Sequence, residues 1–242
     1  MVARESLVTG LPLPNPLTFR LRLAALVIGV FLIGANSFIL SPILSDVAAS
    51  LNTTAVPITW SISAFGGATG LSAFFLSGVV DRADARLMFS AAFIVMALGF
   101  TGSTVTPVWQ GLAAGQALVG AATGILLPAI YSEAVRIAPE GAGARSLGIV
   151  LSGWSISLIL GVPVSAALSD MLDWRTAYFA LAGIAALQAV VFAMFRPSGP
   201  VERGPAKGPA RLQVLRIVGV RSLLVTCLCF MSAFYGTYAL LG

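Results

Sequence analysis

Side chains able to make or break covalent bonds are scarce among these 242 residues. Histidine is absent, and the two cysteines, Cys227 and Cys229, stand two apart inside an apolar run. On a helix that spacing turns them to different faces, so they make no ordinary disulfide with each other and read as packing residues. No Asp, Glu, Lys, Arg or His sits centrally in any apolar run. An enzyme needs a nucleophile with its base, or a set of metal ligands, gathered in one place. Nothing here plays base or ligand, so no enzyme, no cofactor and no metal site are expected. What remains is recognition chemistry. Asn36 and Ser37 lie together in the first apolar run, Gln116 in the fourth and Tyr235 in the seventh. A buried amide needs several hydrogen bonds, and it can offer them to a solute or to a neighbouring helix. Trp154 could add an aromatic wall or simply pack. Charge, by contrast, is concentrated in residues 77–86 (SGVVDRADAR), where Asp81, Arg82, Asp84 and Arg86 crowd together.

The elements that must position these groups are membrane helices. Hydrophobic residues make up 58% of the chain and charged residues 10%, against about 25% charged in a soluble domain. Mean hydropathy is +0.96. A soluble core of this size cannot hide so much apolar surface, so the solvent is lipid. Seven apolar runs, at 23–44, 56–80, 87–105, 108–132, 147–168, 174–195 and 218–241, each approach the ~20 residues that cross a bilayer as a helix. Gly66, Gly67, Pro128 and Pro163 inside them are tolerated in that setting. The first run is longer than the roughly 7–15 residues of a signal peptide's apolar region, so no cleaved signal is expected. The fold class is therefore all-α, a polytopic membrane protein.

Orientation follows from the 14 Lys and Arg residues. With the N-terminus in the cytoplasm, all of them except Arg175 fall on or near the inside. The positive-inside rule then places the N-terminus in the cytoplasm and residues 170–175 outside. That placement also accounts for the net charge of +5, so no nucleic-acid partner is implied. It excludes a seven-helix receptor, whose N-terminus would lie outside. Residues 196–216 carry Pro197, Pro200, Pro205 and Pro209 with three glycines and mixed charge, and read as a flexible linker.

The charged decad resembles the loop between the second and third helices of the major facilitator superfamily. That loop reads small-x-x-x-Asp-Arg-x-Gly-Arg-Arg; Ser77, Asp81, Arg82 and Arg86 match, while Asp84 and Ala85 replace the glycine and the first arginine. The Asp-Arg-x-Asp form is similar to that of the drug- and sugar-efflux branch. The fifth run, from Gly153 through Gly161 to Pro163, resembles the superfamily's antiporter signature, although Val162 stands where a second glycine is usual. Gly153, Ser157, Gly161 and Ser165 recur every four residues as a small-residue ribbon, and Pro163 should bend the helix there. Gln116 aligns with the arginine of the superfamily's fourth-helix motif, counted back from Gly120.

The resemblance implies a six-helix facilitator half-bundle (1–195), a cytoplasmic linker (196–216) and the first helix of a truncated C-terminal half (217–242). It implies transport of a small solute by alternating access, in the export direction, across the plasma membrane. Asn36, Ser37, Gln116 and Tyr235 would then line the substrate path near the bilayer midplane. Asp81, Arg82 and Arg86 would form the gating loop, with Asp81 latching onto the missing half. The implied partners are a small-molecule substrate, the lipid bilayer and the missing C-terminal half. Where some efflux relatives carry a glutamate in helix 1, this chain has Ser37 beside Asn36. Coupling to a proton therefore runs through the missing half, or through Asp46, or is absent. The alternative reading is a non-transporting membrane fragment or a partner-dependent half-transporter.

Overall fold

The computed structural model describes residues 16–80, 84–195 and 219–241, and among these no strand occurs. In order come α1 (Pro16–Ile39), α2 (Leu44–Ser50), α3 (Ala55–Val80), α4 (Ala85–Val105), α5 (Trp109–Arg136) and α6 (Gly143–Ile156). A π-helical turn (Ser157–Gly161) then leads into α7 (Val162–Met171), followed by α8 (Trp174–Met194) and α9 (Val220–Leu241). Among the described residues, five helical stretches are long and apolar enough to cross a membrane: Leu17–Ile39, Ala85–Val105, Trp109–Arg136, Gly143–Met171 and Trp174–Met194. At 26 and 22 residues, α3 and α9 equal them in length. The chain is an all-α polytopic membrane protein.

Local chemistry sets the helix ends. Pro16 opens α1, where a missing N–H costs nothing and its fixed φ suits the first turn. The first run, expected to continue as one span to residue 44, instead stops at Ile39 and resumes as the separate seven-residue α2. Pro42 disfavours helical backbone in the residue before it, which accounts for the break. Pro107 ends α4 in the same way, with Thr106 extended at φ −87°, ψ 137°. Asp84 and Asp173 begin α4 and α8 as N-caps, accepting from the backbone N–H of Arg86 at 2.9 Å and of Arg175 at 2.7 Å. The carboxylate at position 84 of the charged decad thus has a local helix-starting role.

The chain falls into two compact units that divide between Phe195 and Arg196. In the first, α1 contributes Leu26, Val30, Leu32 and Ile33, all fully enclosed, to the core. α5 packs between α3 and α4, α8 packs on α4, and α1 lies against α6 and α7. In lipid, burying apolar side chains gains little over leaving them among acyl chains, so close fit holds such helices together. Fit is close here. A Cβ on Gly115 would lie 2.6 Å from the Gly99 carbonyl oxygen, and one on Gly120 would lie 2.2 Å from that of Phe65.

One end of this unit is tied together through α2. Trp174 Nε1 donates to Ser50 Oγ at 2.7 Å, and Ser169 Oγ donates to Asp46 Oδ2 at 2.8 Å. Arg175 Nε donates to the Thr104 carbonyl at 3.0 Å, and its guanidinium lies 4.5 Å over the Trp174 ring. Four elements (α2, α4, α7 and α8) are fastened there by polar contacts. In the second unit, Gly219 at φ 89° turns the chain into α9, on which Cys227 and Cys229 are free thiols.

Candidate functional site

Asn36 projects from α1 and Gln116 from α5, and the two meet. Asn36 Nδ2 donates to Gln116 Oε1 at 3.0 Å. Gln116 Nε2 in turn approaches Ser103 Oγ of α4 at a long 3.5 Å, and Ser103 donates to the Gly99 carbonyl at 2.8 Å. Three helices therefore share one polar node. The amides are sealed, with Asn36 4% and Gln116 3% exposed. Among the described residues nothing donates to Asn36 Oδ1. A buried acceptor left unpaired costs about 1–3 kcal/mol, so the node is under-satisfied as it stands. Neither amide lies on an open surface.

Ser37 does not join the node; its hydroxyl turns back to the Ile33 carbonyl at 2.8 Å. Tyr235 belongs to α9, and its side chain lies outside the described residues, as do Asp81 and Arg82. Arg86 is exposed in the first turn of α4. The sequence pointed to none of Ser103's part in the node, because Thr101-Gly102-Ser103-Thr104 looks like the polar fringe of a span rather than an interior surface.

The small-residue ribbon lies against α1. A Cβ on Gly153 would meet the Val27 carbonyl oxygen at 2.7 Å, Val30 Cβ at 2.9 Å and the Phe31 nitrogen at 3.0 Å. At Gly161 the nearest atom would be Ala35 Cβ, at 3.2 Å. Ser157 and Ser165 are buried. Pro163 stands in the first turn of α7, directly after the π-helical turn, where the Val162 N–H reaches back to the Ser157 carbonyl. Ahead of this proline the helix widens locally: the ring removes a donor and crowds the preceding turn, and a π-bulge relieves both.

One turn before that bulge, Trp154 Nε1 donates to Tyr131 Oη of α5 at 3.0 Å, and both rings are half-buried. Tyr131 was not singled out by sequence; its pairing with a residue 23 positions away depends on how two helices are set side by side. Among the described residues, no three of His, Cys, Asp and Glu gather as a metal could require.

Comparison with known proteins agrees with this architecture. Residues 26–242 match the family model described as Major Facilitator Superfamily. The chain is 29% identical over 225 residues to an uncharacterized MFS-type transporter, YwfA, of Bacillus subtilis (strain 168), covering 90% of this chain and 54% of that one. It is 25% identical over 201 residues to a probable sugar efflux transporter of Helicobacter acinonychis (strain Sheeba), covering 82% and 49%. The chain thus spans about half the length of the curated relatives it matches. Among solved structures it superposes on a POT family transporter in complex with a thioalcohol-conjugated peptide, with TM-score 0.65, 15% identity and coverage of 92% of this chain and 48% of that one. The same family's complex with 5-aminolevulinic acid also gives TM-score 0.65, at 14% identity. At that identity the likeness is one of fold. The match over residues 26–242, on a chain folded this way, has one conclusion: the chain belongs to the major facilitator superfamily.

Proposed function

We propose that this chain supplies the first half of a secondary transporter that moves a small solute out of the cell by alternating access. The reading rests on one observation, the family match along nearly the whole chain. Export is favoured by the efflux transporters among its relatives and by the Gly153–Pro163 stretch laid along α1. In this reading 1–195 is the N-terminal half, 196–216 a cytoplasmic linker, and 217–242 the start of the second half. The N-terminus is cytoplasmic and the membrane is the plasma membrane, so α2 and the contacts around Trp174 face outward.

The path would be lined from Asn36, Ser37, Gln116 and Tyr235, with Asp81, Arg82 and Arg86 gating its cytoplasmic side. The unpaired Asn36 Oδ1 supports a role for the amides. A solute or water that donates to it when the path opens would complete the node. Proton coupling, if it runs through this half, has Asp46 as its carboxylate, held by Ser169.

Flux decides the reading. Expressed from its complete reading frame and reconstituted, the protein should carry neutral sugars across proteoliposome membranes, and Gln116→Leu should lower affinity in the protein that folds. A folded, reconstituted protein without flux of any solute tested would reject it. A loss of stability with normal affinity in Gln116→Leu would remove Gln116 from the path.

A further inference from the structure

Ser61 of α3 is enclosed completely, and among the described residues its hydroxyl has no hydrogen-bond partner. Other hydroxyls of this unit find a partner within their own helix. Ser37, Thr69, Ser103 and Thr123 each donate to the carbonyl one turn back. Ser61 does not turn to the Pro57 carbonyl in this way. A buried hydroxyl left unpaired is costly, so one held away from its own helix asks for a partner elsewhere.

The register of α3 on α5 says where that hydroxyl stands. A Cβ on Gly120 would run into the Phe65 carbonyl oxygen, and one on Gly124, a turn further on, into that of Thr69. The two helices therefore run parallel and in step. One turn back on each, Gln116 continues the line of Gly120 and Ser61 that of Phe65, which brings Ser61 alongside the amide node. That node holds a second unpartnered atom, Asn36 Oδ1. Gln116 Nε2 has only its long 3.5 Å approach to Ser103 Oγ. A free hydroxyl, a free acceptor and an under-used N–H thus gather around Gln116.

The chemistry of the three groups narrows what joins them. Residues 23–45, 47–80 and 87–132, which carry all of them, contain no charged side chain. A cation stripped of water has no carboxylate there to offset its cost, and an anion would face the Asn36 oxygen. Water suits all three groups. It can accept from Ser61 and from Gln116 and donate to Asn36, and three hydrogen bonds are usual for a buried water.

We propose that this junction binds a single resident water, which bridges Ser61 Oγ to Asn36 Oδ1 beside Gln116 and brings α3 into the node. The water belongs to the sealed bundle and does not rest on the transport reading: stability and diffraction test the one, flux the other.

The test uses full-length protein in detergent. Ser61→Ala removes the hydroxyl alone, and Ser63→Ala, at an exposed position of the same helix, controls for the helix propensity of alanine. The melting midpoint of Ser61→Ala should lie about 1–3 °C below that of Ser63→Ala. A hydroxyl without a partner gives the opposite sign, because alanine removes its cost. In an Asn36→Leu background, which takes away the acceptor, the difference should vanish or reverse. A midpoint for Ser61→Ala above the control overturns the proposal. So does the same fall in both backgrounds, which marks a hydroxyl bonded within α3. If Asn36→Leu does not fold, a crystal structure of the wild-type protein decides. One density peak within about 2.5–3.2 Å of both Asn36 Oδ1 and Ser61 Oγ is expected, and a dry junction or a direct bond between the two side chains overturns it. Midpoints in sodium, potassium and choline chloride should agree. A rise specific to one cation, abolished by Ser61→Ala, would assign the site to an ion and overturn the water.

Discussion

Replacing Gly153 with alanine adds one methyl group where α6 lies directly against α1. That carbon would lie 2.7 Å from the Val27 oxygen, where ordinary contact begins at 3.4 Å, a deficit of about 0.7 Å. Two of the three nearest atoms are backbone and cannot swing aside, so α6 must part from α1 along the ribbon. Overpacking of this kind costs about 1–3 kcal/mol, while alanine returns about 1 kcal/mol of helix propensity over glycine. Gly148, five residues earlier on the same helix, provides the control, because a Cβ there would meet nothing within 4 Å. Gly148→Ala should therefore stabilise by about 1 kcal/mol, and the two alanines should differ by the overpacking cost itself. Gly161→Ala, whose nearest contact would be 3.2 Å, should fall between them. For a chain of this length each kcal/mol moves a melting midpoint by about 2–4 °C. Thermal scans of purified protein in detergent, read by size-exclusion recovery, should rank Gly148→Ala above wild type, then Gly161→Ala, then Gly153→Ala. Equal midpoints for the Gly148 and Gly153 variants would refute the close approach of α1 and α6.

The amide node predicts coupling. Asn36→Leu and Gln116→Leu together should destabilise by less than the sum of their separate effects, the difference being about 0.6 and at most about 1.7 kcal/mol, the average and maximum for hydrogen bonds between membrane helices; additive effects in a thermal double-mutant cycle would dissolve the node. Trp174→Phe loses the bond to Ser50 and should lower stability by about 1 kcal/mol, whereas Ser50→Ala in the Trp174→Phe background should add almost nothing. For topology, in a background with Cys227 and Cys229 replaced by serine, Leu172→Cys should react with an impermeant thiol reagent on intact cells and Gly204→Cys should not; the opposite pattern reverses the orientation.

Much of the fold was legible because lipid imposes a simple demand, long apolar stretches between short polar ones. The helix from Gly143 to Met171 and the one from Trp174 to Met194 could be read that way almost to their ends. The separation of α2 from α1 was harder, because Leu40, Ile43 and Leu44 continue the apolar run past Ser41-Pro42 and only the local backbone preference marks the break. Asn36 and Gln116 could be singled out because an amide in an apolar run demands partners. That Ser103 would approach them, or that Tyr131 would take the Trp154 proton, follows from the register of neighbouring helices, which side-chain type alone does not encode. The placement of Asp81, Arg82 and Tyr235 lies outside the described residues.

The π-helical turn has a rotational consequence for the ribbon. On a regular α-helix, at 3.6 residues per turn, each four-residue step overshoots a full circle by about 40°. Gly153, Ser157, Gly161 and Ser165 would then wind about 120° around the axis over three steps. A turn closed by bonds to the fifth residue takes more residues per revolution, so between Ser157 and Gly161 the overshoot is cancelled. Phase lost before the turn is recovered within it. This is how small residues at a fixed spacing of four stay directed at one neighbour, with Ser165 of α7 still buried beyond the bulge. Pro163 is thus a phase-setter. With alanine in its place a regular helix could re-form, and Ser165 would rotate out of line with Gly153.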